Sequence, residues 1–271
     1  MGASCILTYR GEAGDGDDAR RRNLDVVLGR LARSPAIEVI VVEQDHLPRL
    51  SGALPHPAVR RVFAHNRGPF NKGWGFNVGA RHASGTELAF CDADLLIGPS
   101  LDKALQLCAR DYAMAKPYVR LFDLTRTDTT RLSAALRAGT LPSVAVDPRH
   151  AGRETIGEAL ALCGGLFVIR RTAFAHVGGF DERFLGWGGE DDAMTIKVER
   201  ARLSCVELDD EVALHLWHPR PRSATMQHPH YAQNCALLDD YRRYSDATLA
   251  RLAEVQWSRS GNQHKYRPVA Q

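Results

Sequence analysis

The sequence predicts an α/β fold with a mostly parallel sheet flanked by helices, and three observations support this prediction. Short apolar runs alternate with segments of helical periodicity through the first half of the chain. The run at 37–42 is continuous and β-branched, as in strands that a parallel sheet buries on both faces. Two acidic residues, Asp92 and Asp94, follow another apolar run, and the carboxyl ends of strands are where such sheets bind ligands.

The spacing of apolar residues places the individual elements in order. The first half predicts strands at 3–8, 37–42, 59–63 and 87–91, and helices at 18–32 and 71–83. Residues 121–160 lack a clear period apart from a helix near 131–138, which indicates an insertion or a flexible connection. The second half predicts strands at 165–169 and 212–217, a helix that begins at 171, a helix at 191–201 and a helix pair within 231–255. We therefore expect one domain over 1–220 with a C-terminal helical closure at 221–271.

The composition excludes several classes of protein. A chain of 271 residues with 44% hydrophobic and 25% charged residues is ordinary for a globular protein. The formal net charge of +3 is small and the basic residues are scattered, so we expect no nucleic-acid partner and no membrane-surface binding. The six cysteines show no CxxC spacing, which argues against a zinc knuckle or a redox motif. No apolar run approaches the roughly 18 residues that span a bilayer and no signal peptide is apparent, which predicts a cytoplasmic protein.

The first candidate site is the Asp-x-Asp pair formed by Asp92 and Asp94. The two carboxylates are two residues apart, so one can bind a metal while the other meets a ribose or water. Oxygen ligands of this kind suit a hard divalent cation that keeps substrate phosphates in its coordination shell. An isolated pair is more often a solvated turn, but its position at the end of a strand favours a site.

The second candidate site is the segment 186–192, with the sequence GWGGEDD. Three carboxylates at the start of a predicted helix are stabilised by its free N–H groups, and a charged N-cap turn is the alternative interpretation. The glycines suit a close approach to a ligand or a hinge, and Trp187 between them suits stacking on the apolar face of a sugar. The segment therefore predicts a mobile saccharide-binding loop.

The third candidate site contains His215 and His218 at the end of a predicted strand. Histidines at this spacing could bind zinc with a third partner, but no HExxH helix or cysteine cluster accompanies them. A more economical hypothesis is that one of them completes the metal site begun by Asp94, since imidazole, carboxylate and diphosphate oxygens suit Mn²⁺. His215 and Trp217 lie on the same face of the predicted strand, so His218 is favoured as the metal ligand. The role of His215 stays open.

Together these residues resemble the GT-A-fold glycosyltransferases, which have a Rossmann-like sheet. The resemblance is to the β-1,4-galactosyltransferases and to the related bacterial and polypeptide N-acetylgalactosaminyltransferases, and it covers about residues 36–220. It rests on the order and spacing of several pieces: VVEQ at 41–44, FNK at 70–72, NVG at 77–79, DAD at 92–94, GG at 164–165, GGF at 178–180 and GWGGEDD at 186–192. It implies an inverting, Mn²⁺-dependent enzyme, with Mg²⁺ as an alternative ion, that moves a hexose or N-acetylhexosamine from a UDP-sugar to an acceptor hydroxyl.

The resemblance also implies roles for individual residues. Asp94 and His218 would bind the cation, with Asp92 and His215 as further candidates, and Asp191 would be the catalytic base with Glu190 beside it. The implied donor contacts are Thr8, Arg10, Glu43, Lys72, Asn77, Asp92, Asp94, Gly165 and Trp187. The implied acceptor contacts are Trp187, Gly188, Gly189, Glu190 and Asp192. Residues 1–120 would then form the nucleotide-sugar half and residues 160–220 the acceptor and catalytic half, with a saccharide, a glycosylated small molecule or a peptide as acceptor.

The sequence departs from the family at two positions that bear on function. Ala193 stands where a third acidic residue often follows the pair Asp191–Asp192. Leu162 stands where galactose-specific members have a bulkier tyrosine, and a smaller side chain there could admit an N-acetyl group. Retaining relatives tend to have an amide in place of Asp191, which favours inversion here.

Four alternative functions stay open from the residues alone. A retaining glycosyltransferase of the same fold and a catalytically silent carbohydrate-binding domain would keep most of these residues. A sugar-phosphate nucleotidyltransferase should show a glycine-rich phosphate loop near the N-terminus, which the segment 8–11 does not form. A zinc hydrolase built on His215, His218 and His228 lacks a glutamate base at the expected spacing.

Overall fold

The computed structural model describes residues 2–11, 18–34, 37–52, 54, 58–140, 152–154, 162, 165–209, 212–219 and 225–267. The strands are β1 (Ala3–Tyr9), β2 (Ile37–Asp45), β3 (Val59–His65), β4 (Glu87–Asp92), β5 (Leu95–Leu96), β6 (Met114–Lys116), β7 (Arg120–Asp123), β8 (Gly152–Glu154), β9 (Leu166–Arg170), β10 (Cys205–Glu207) and β11 (Val212–His215). The helices are α1 (Ala19–Leu31), α2 (Lys72–His82), α3 (Ser100–Arg110), α4 (Arg126–Arg137), α5 (Arg171–His176), α6 (Glu190–Arg200), α7 (Tyr231–Arg243) and α8 (Asp246–Arg259).

The central sheet has seven strands in the order β10-β6-β9-β4-β1-β2-β3. β1 pairs in parallel with both β2 and β4, β2 pairs in parallel with β3, and β9 lies antiparallel between β4 and β6. This arrangement confirms the predicted α/β fold with a mostly parallel sheet. Because β1, β2 and β4 run in the same direction, their carboxyl ends at Tyr9, Asp45 and Asp92 meet at one edge of the sheet.

A second, smaller sheet has the order β5-β11-β7-β8. Its strands β7 and β11 pair in parallel, and Asp123 is the register partner of His215. Within the segment predicted as an insertion or a flexible connection, residues 121–137 contribute to β7 and α4, and α4 confirms the helix predicted near 131–138. Residues 141–151 and 155–160 lie outside the described part of the chain. A strand of four residues is too short to show a readable period, which explains why β7 was not predicted.

Helix α2 carries one side chain into the site, and close packing fixes its position. Asn71 caps the helix, because its side chain accepts a hydrogen bond from the backbone N–H three residues on. A Cβ atom at Gly75 would overlap the side chain of Thr8, and one at Gly79 would overlap that of Ile6. The two glycines therefore allow α2 to lie directly on β1, which places Lys72 in its first turn at the ligand edge of the sheet.

The C-terminal helices α7 and α8 confirm the predicted helical segment. The buried Tyr241 hydroxyl donates to Asp181 at 2.8 Å and accepts from the amide of Gln256 at 3.0 Å. The buried Lys197 ammonium on α6 donates to the Oε1 atom of Gln256 at 2.8 Å. This network fixes α7 and α8 against α6, whose first turn carries the acidic run. In the described residues, no helix is both long enough and apolar enough to cross a bilayer.

Candidate active site and metal centre

Three side chains from the two sheets converge on one point. Asp94 follows β4 in a tight turn, His215 is the last residue of β11, and His218 follows three residues later. The Nε2 atom of His218 lies 3.2 Å from Oδ2 of Asp94, and the Nε2 atom of His215 lies 3.7 Å from Oδ1. Among the described residues these three form the one group of potential metal ligands with all ligand atoms within 4.8 Å of each other.

Both imidazole rings are held at the nitrogen that faces away from Asp94. The Nδ1 atom of His215 lies 3.1 Å from the carboxylate of Asp123, and the Nδ1 atom of His218 lies 2.9 Å from the carbonyl oxygen of Pro219. A ring that donates from Nδ1 presents the lone pair of Nε2, which is how metal-binding histidines are usually oriented. The backbone of Leu216 also donates to the carbonyl oxygen of Asp94 at 2.8 Å and joins the two segments.

The electrostatics of Asp94 fit a cation site. Burial alone would raise the pKa of Asp94, but its interactions with His218 and His215 outweigh burial and lower the pKa to about 2. The carboxylate is therefore ionised at neutral pH. One carboxylate and two imidazoles suit a borderline divalent ion such as Mn²⁺, and three protein ligands leave positions for substrate oxygens.

Lys72 lies at the centre of a second cluster, which contains three carboxylates. Its Nζ atom lies 3.0 Å from Asp191, 3.2 Å from Asp92 and 3.6 Å from Glu190. The Lys72 side chain is 13% exposed and its partners are between 14% and 29% exposed, so water screens these interactions only weakly. Burial would lower the pKa of Lys72, but the carboxylates Asp191, Asp92 and Glu190 hold it well above its usual value.

The same burial acts on the carboxylates in the opposite direction. It raises the pKa of Asp191 and of Asp92 despite the nearby Lys72 ammonium. For Glu190, burial and the neighbouring Asp191 charge raise the pKa to about 7. The cluster therefore depends on Lys72 for its neutralisation, and Glu190 exchanges its proton near neutral pH.

Replacing Lys72 by methionine tests this dependence. We expect Lys72→Met to lower the free energy of unfolding by about 3 kcal/mol at pH 7.5, because three half-buried carboxylates lose their common cation. Lys103→Met on the exposed face of α3 is the matched control and should stay within about 0.5 kcal/mol of the parent chain. Urea unfolding of both variants gives the comparison, and equal midpoints for the two would contradict it.

Gly165 lies directly against Asp92. It has a φ of +83°, and a Cβ atom there would overlap the Asp92 carboxylate. The carbonyl oxygen of Gly165 also accepts a hydrogen bond from the Asp92 backbone at 2.7 Å. The absence of a side chain at this position therefore determines where the Asp92 carboxylate lies.

We expect Gly165→Ala to lower the activity of the site at least tenfold, because the new methyl group must displace Asp92. Gly139→Ala is the matched control, since Gly139 has a φ of +79° but no atom within 4 Å of the added Cβ. Both variants carry the strain of a positive φ, about 1–2 kcal/mol, and only one disturbs the site. Equal activity of the two variants, measured at a temperature where both are folded, would refute this prediction.

The predicted saccharide-binding loop begins α6 with three glycines in left-handed conformations. Gly186, Gly188 and Gly189 have φ values of +73°, +93° and +92°, and Gly189 is the N-cap of α6. Trp187 is 43% exposed, and its ring lies 5.6 Å from that of Tyr231 at an angle of 32°. The two rings form an aromatic platform beside the acidic first turn of α6, which includes the exposed Asp192.

Four predicted donor contacts have side chains that serve the scaffold. The buried Thr8 hydroxyl accepts from Gln44, and Arg10 donates to the backbone oxygens of Gln44, Asn66 and Gly68. Glu43 is buried and accepts from the backbone N–H groups of Arg49 and Leu50. The buried amide of Asn77 bonds the backbone of Phe180 and the carboxylate of Glu182. The polar groups of Glu43 and Asn77 bond the scaffold, and the donor contacts expected for these two residues stay predictions.

Three residues near the site were not predicted from the sequence. Asp123 orients His215, Tyr231 completes the aromatic platform, and the buried Tyr118 lies close to the acidic cluster. Asp123 ends a four-residue strand and Tyr231 begins a helix beyond the segment of resemblance. Neither Asp123 nor Tyr231 carries a local sequence signal that could have identified it.

Comparison with known proteins shows which proteins this chain resembles. Residues 156–219 match the family described as the N-terminal domain of galactosyltransferase. Chondroitin sulfate N-acetylgalactosaminyltransferase 1 of Mus musculus is 27% identical over 173 residues, which cover 59% of this chain and 29% of that protein. β-1,4-Galactosyltransferase 4 of Homo sapiens is 38% identical over 61 residues, which cover 21% of this chain and 18% of that protein. The chain thus spans less than a third of the length of these relatives.

The fold agrees with the sequence relatives. A crystal structure of GalNAc-T7 with UDP, GalNAc and Mn²⁺ superposes with a TM-score of 0.57 at 15% identity, over 94% of this chain and 55% of that chain. At this identity the likeness concerns the fold alone. The resemblance to galactosyltransferases rests on the sequence match, and the assignment of the fold rests on the superposition. These findings show that the chain has the GT-A fold and that part of it is similar in sequence to galactosyltransferases and N-acetylgalactosaminyltransferases.

Proposed function

We propose that this chain is an inverting, Mn²⁺-dependent glycosyltransferase that moves a hexose or an N-acetylhexosamine from a UDP-sugar to an acceptor hydroxyl. The observation that supports it most is the convergence of two clusters at one edge of the sheet. Asp94, His215 and His218 could hold a cation, and Asp92, two positions before Asp94, lies 3.2 Å from the ammonium of Lys72, which also holds Asp191. A cation can stabilise the departing diphosphate, and a carboxylate can take the proton of the acceptor hydroxyl.

Asp94, His215 and His218 would hold the cation, and Asp123 would keep His215 in the binding tautomer. When bound, Mn²⁺ would neutralise the charge that develops on the departing diphosphate. Mg²⁺ is the alternative ion, but the two imidazole ligands favour Mn²⁺. The crystal structure of GalNAc-T7, which has a similar fold, contains UDP, GalNAc and Mn²⁺ and supports the same choice.

Lys72 would provide a second positive charge at the diphosphate. Its ammonium is buried and protonated, and it extends from the first turn of α2 to the carboxyl end of β4. A bound diphosphate would compete with Asp191 for this ammonium. Binding of the donor would then weaken the ion pair that holds Asp191 in the free protein.

Asp191 would act as the general base. An acceptor hydroxyl is a poor nucleophile and needs a carboxylate within hydrogen-bond reach to take its proton. Burial raises the pKa of Asp191 and makes it a stronger base than an exposed aspartate. A base on the side of the sugar opposite the diphosphate gives inversion of the anomeric carbon. Glu190, whose pKa is about 7, lies next to Asp191 and could pass the proton to solvent.

The acceptor would lie on the platform of Trp187 and Tyr231. An exposed indole suits the apolar face of a sugar ring, and the exposed carboxylate of Asp192 can accept from its hydroxyl groups. The loop glycines Gly188 and Gly189 let the backbone approach the same ligand. These features favour a saccharide or a glycosylated small molecule, with a peptide acceptor as the less favoured choice.

A donor screen tests the proposal. The chain is incubated with UDP-galactose, UDP-glucose and their N-acetylhexosamine counterparts, with Mn²⁺, with Mg²⁺ or with a chelator, and the release of UDP is measured. We expect release that depends on the divalent cation and is strongest with one donor. The anomeric configuration of the product, read by NMR, distinguishes inversion from retention. Cation-dependent binding of UDP without any release from any donor would point to a silent carbohydrate-binding domain.

A further inference from the structure

The turn at 216–217 joins the two histidines of the candidate cation site, and two buried polar side chains hold it. The amide nitrogen of Asn23, on α1, donates to the carbonyl oxygen of Trp217 at 3.1 Å and to that of Leu216 at 3.4 Å. The hydroxyl oxygen of Thr129, on α4, accepts from the backbone N–H of Trp217 at 2.9 Å. Asn23 is 1% exposed and Thr129 is 7% exposed. Two helices that are far apart in the sequence therefore hold the same two residues of the chain.

Each of the four backbone polar groups of this turn has a hydrogen-bond partner. The N–H of Leu216 donates to the carbonyl oxygen of Asp94 at 2.8 Å. The side chains of Asn23 and Thr129 bond the other three groups. A buried backbone group that lost its partner would cost free energy, so these bonds favour one conformation of the turn over all others.

The presence of an asparagine at position 23 is explained by the turn and not by the helix. Asn23 lies on the buried face of α1 with Leu24 and Val27, where an apolar side chain would suit the core. Asparagine is also a weak helix former, because its amide competes with the backbone for hydrogen bonds. A buried amide must be hydrogen-bonded to offset its loss of water, and the amide nitrogen of Asn23 bonds the turn at 216–217.

The conformation of the turn decides whether the two imidazoles can share a cation. A strand that continued through 216–217 would place the rings of His215 and His218 on opposite faces. In the structure β11 ends at His215, and the Nε2 atoms of the two rings lie 3.7 Å and 3.2 Å from the carboxylate of Asp94. A metal site requires its ligand atoms to lie within about 0.2 Å of their preferred distances. A small change in the turn would therefore move one imidazole out of the coordination shell.

We propose that Asn23 and Thr129 are positioning residues of the cation site, which hold the turn at 216–217 so that both imidazoles reach the same ion. This inference rests on the proposed function, in which the histidines on either side of the turn bind the cation. It adds two residues that act on the ion through the backbone of the turn and do not bind it themselves. Loss of either side chain should weaken cation binding even at temperatures at which the chain is fully folded.

The test is a Mn²⁺ titration of UDP binding by calorimetry, at a temperature at which every variant is folded. Thr129→Val removes the acceptor of the Trp217 N–H and keeps the shape of the side chain. We expect it to raise the Mn²⁺ concentration for half-maximal UDP binding about tenfold and to leave the affinity for UDP at saturating Mn²⁺ unchanged. Thr129→Ser keeps the hydroxyl and should follow the parent curve. Asn23→Leu removes the donor to both carbonyl oxygens and should shift the curve in the same direction as Thr129→Val.

Ser133→Ala is the matched control on the same helix. The Ser133 hydroxyl is also buried, but it donates within α4, to the carbonyl oxygen of Thr129 at 2.6 Å. This variant should melt at a lower temperature and keep the parent Mn²⁺ titration curve. The inference is wrong if Thr129→Val or Asn23→Leu follows the control curve, or if Thr129→Ser shifts as far as Thr129→Val. A parent chain that binds UDP equally well without Mn²⁺, or does not bind it at all, would instead overturn the proposed function, and the inference with it.

Discussion

Replacing Asp191 by asparagine should abolish sugar transfer while UDP and Mn²⁺ still bind. The amide keeps the shape of the side chain but cannot take the proton of the acceptor hydroxyl. A general base contributes about 10²- to 10⁴-fold to a rate, so we expect kcat to fall about a thousandfold. UDP should bind at least as tightly as to the parent chain, because the variant removes the Asp191 charge that competes with the diphosphate for the ammonium of Lys72.

Turnover of Asp191→Asn is measured with saturating donor and acceptor, and binding of UDP by calorimetry. Glu199→Gln is the matched control, since it removes an exposed carboxylate from the last turn of the same helix α6. That variant should keep the parent turnover. A turnover of Asp191→Asn within threefold of the control would show that another group serves as the base, and Glu190 would then be the next residue to replace.

Loss of a cation ligand should have the second large effect. We expect Asp94→Ala and His218→Ala to raise the Mn²⁺ concentration for half-maximal activity by at least a hundredfold, because each removes one of three ligand atoms that lie within 4.8 Å of one another. Asp123→Asn should raise it less, by about tenfold, since Asp123 orients His215 without contacting the cation.

Manganese titration of activity and of UDP binding gives this comparison. His176→Ala, at the exposed end of α5, is the control and should follow the parent titration curve. A titration curve of Asp94→Ala or of His218→Ala that coincides with the control would remove that residue from the cation site. A larger effect of Asp123→Asn than of His218→Ala would show that Asp123 contributes more to cation binding than His218 does.

Long, strongly patterned elements of this fold could be predicted from the sequence. Helix α2 was predicted at 71–83 and spans Lys72–His82 with Asn71 and Ala83 as its caps. The β-branched run at 37–42 lies within β2, between β1 and β3. Such elements carry their own signal, because their apolar periods extend over two or more turns or over a whole strand. The short strands of the second sheet have no such pattern, and their structure is decided by pairing between distant segments of the chain.

The sequence predicts which residue types form the candidate site, but not the orientation and bonding partners of each side chain. The sequence does not decide whether His215 is a metal ligand, because a strand that extended to 217 would place His215 and His218 on opposite faces. The strand ends at His215 instead, and the chain then turns so that both rings face Asp94. The sequence does not show that Glu43 and Asn77 are buried and bond the scaffold, because their partners come from other segments of the chain. The domain boundary at 220 and the cytoplasmic location stay predictions.

The close contact between Gly165 and Asp92 limits how this site can evolve or be redesigned. Since no side chain fits at Gly165 without displacing that carboxylate, the position is closed to the substitutions by which pockets usually change their preference. A change in sugar selectivity would have to come from neighbours that have side chains to exchange. Leu162 is such a neighbour, because it is buried and its backbone N–H donates to the Thr195 hydroxyl on α6, so a library aimed at new donors should vary this position and leave the glycine unchanged.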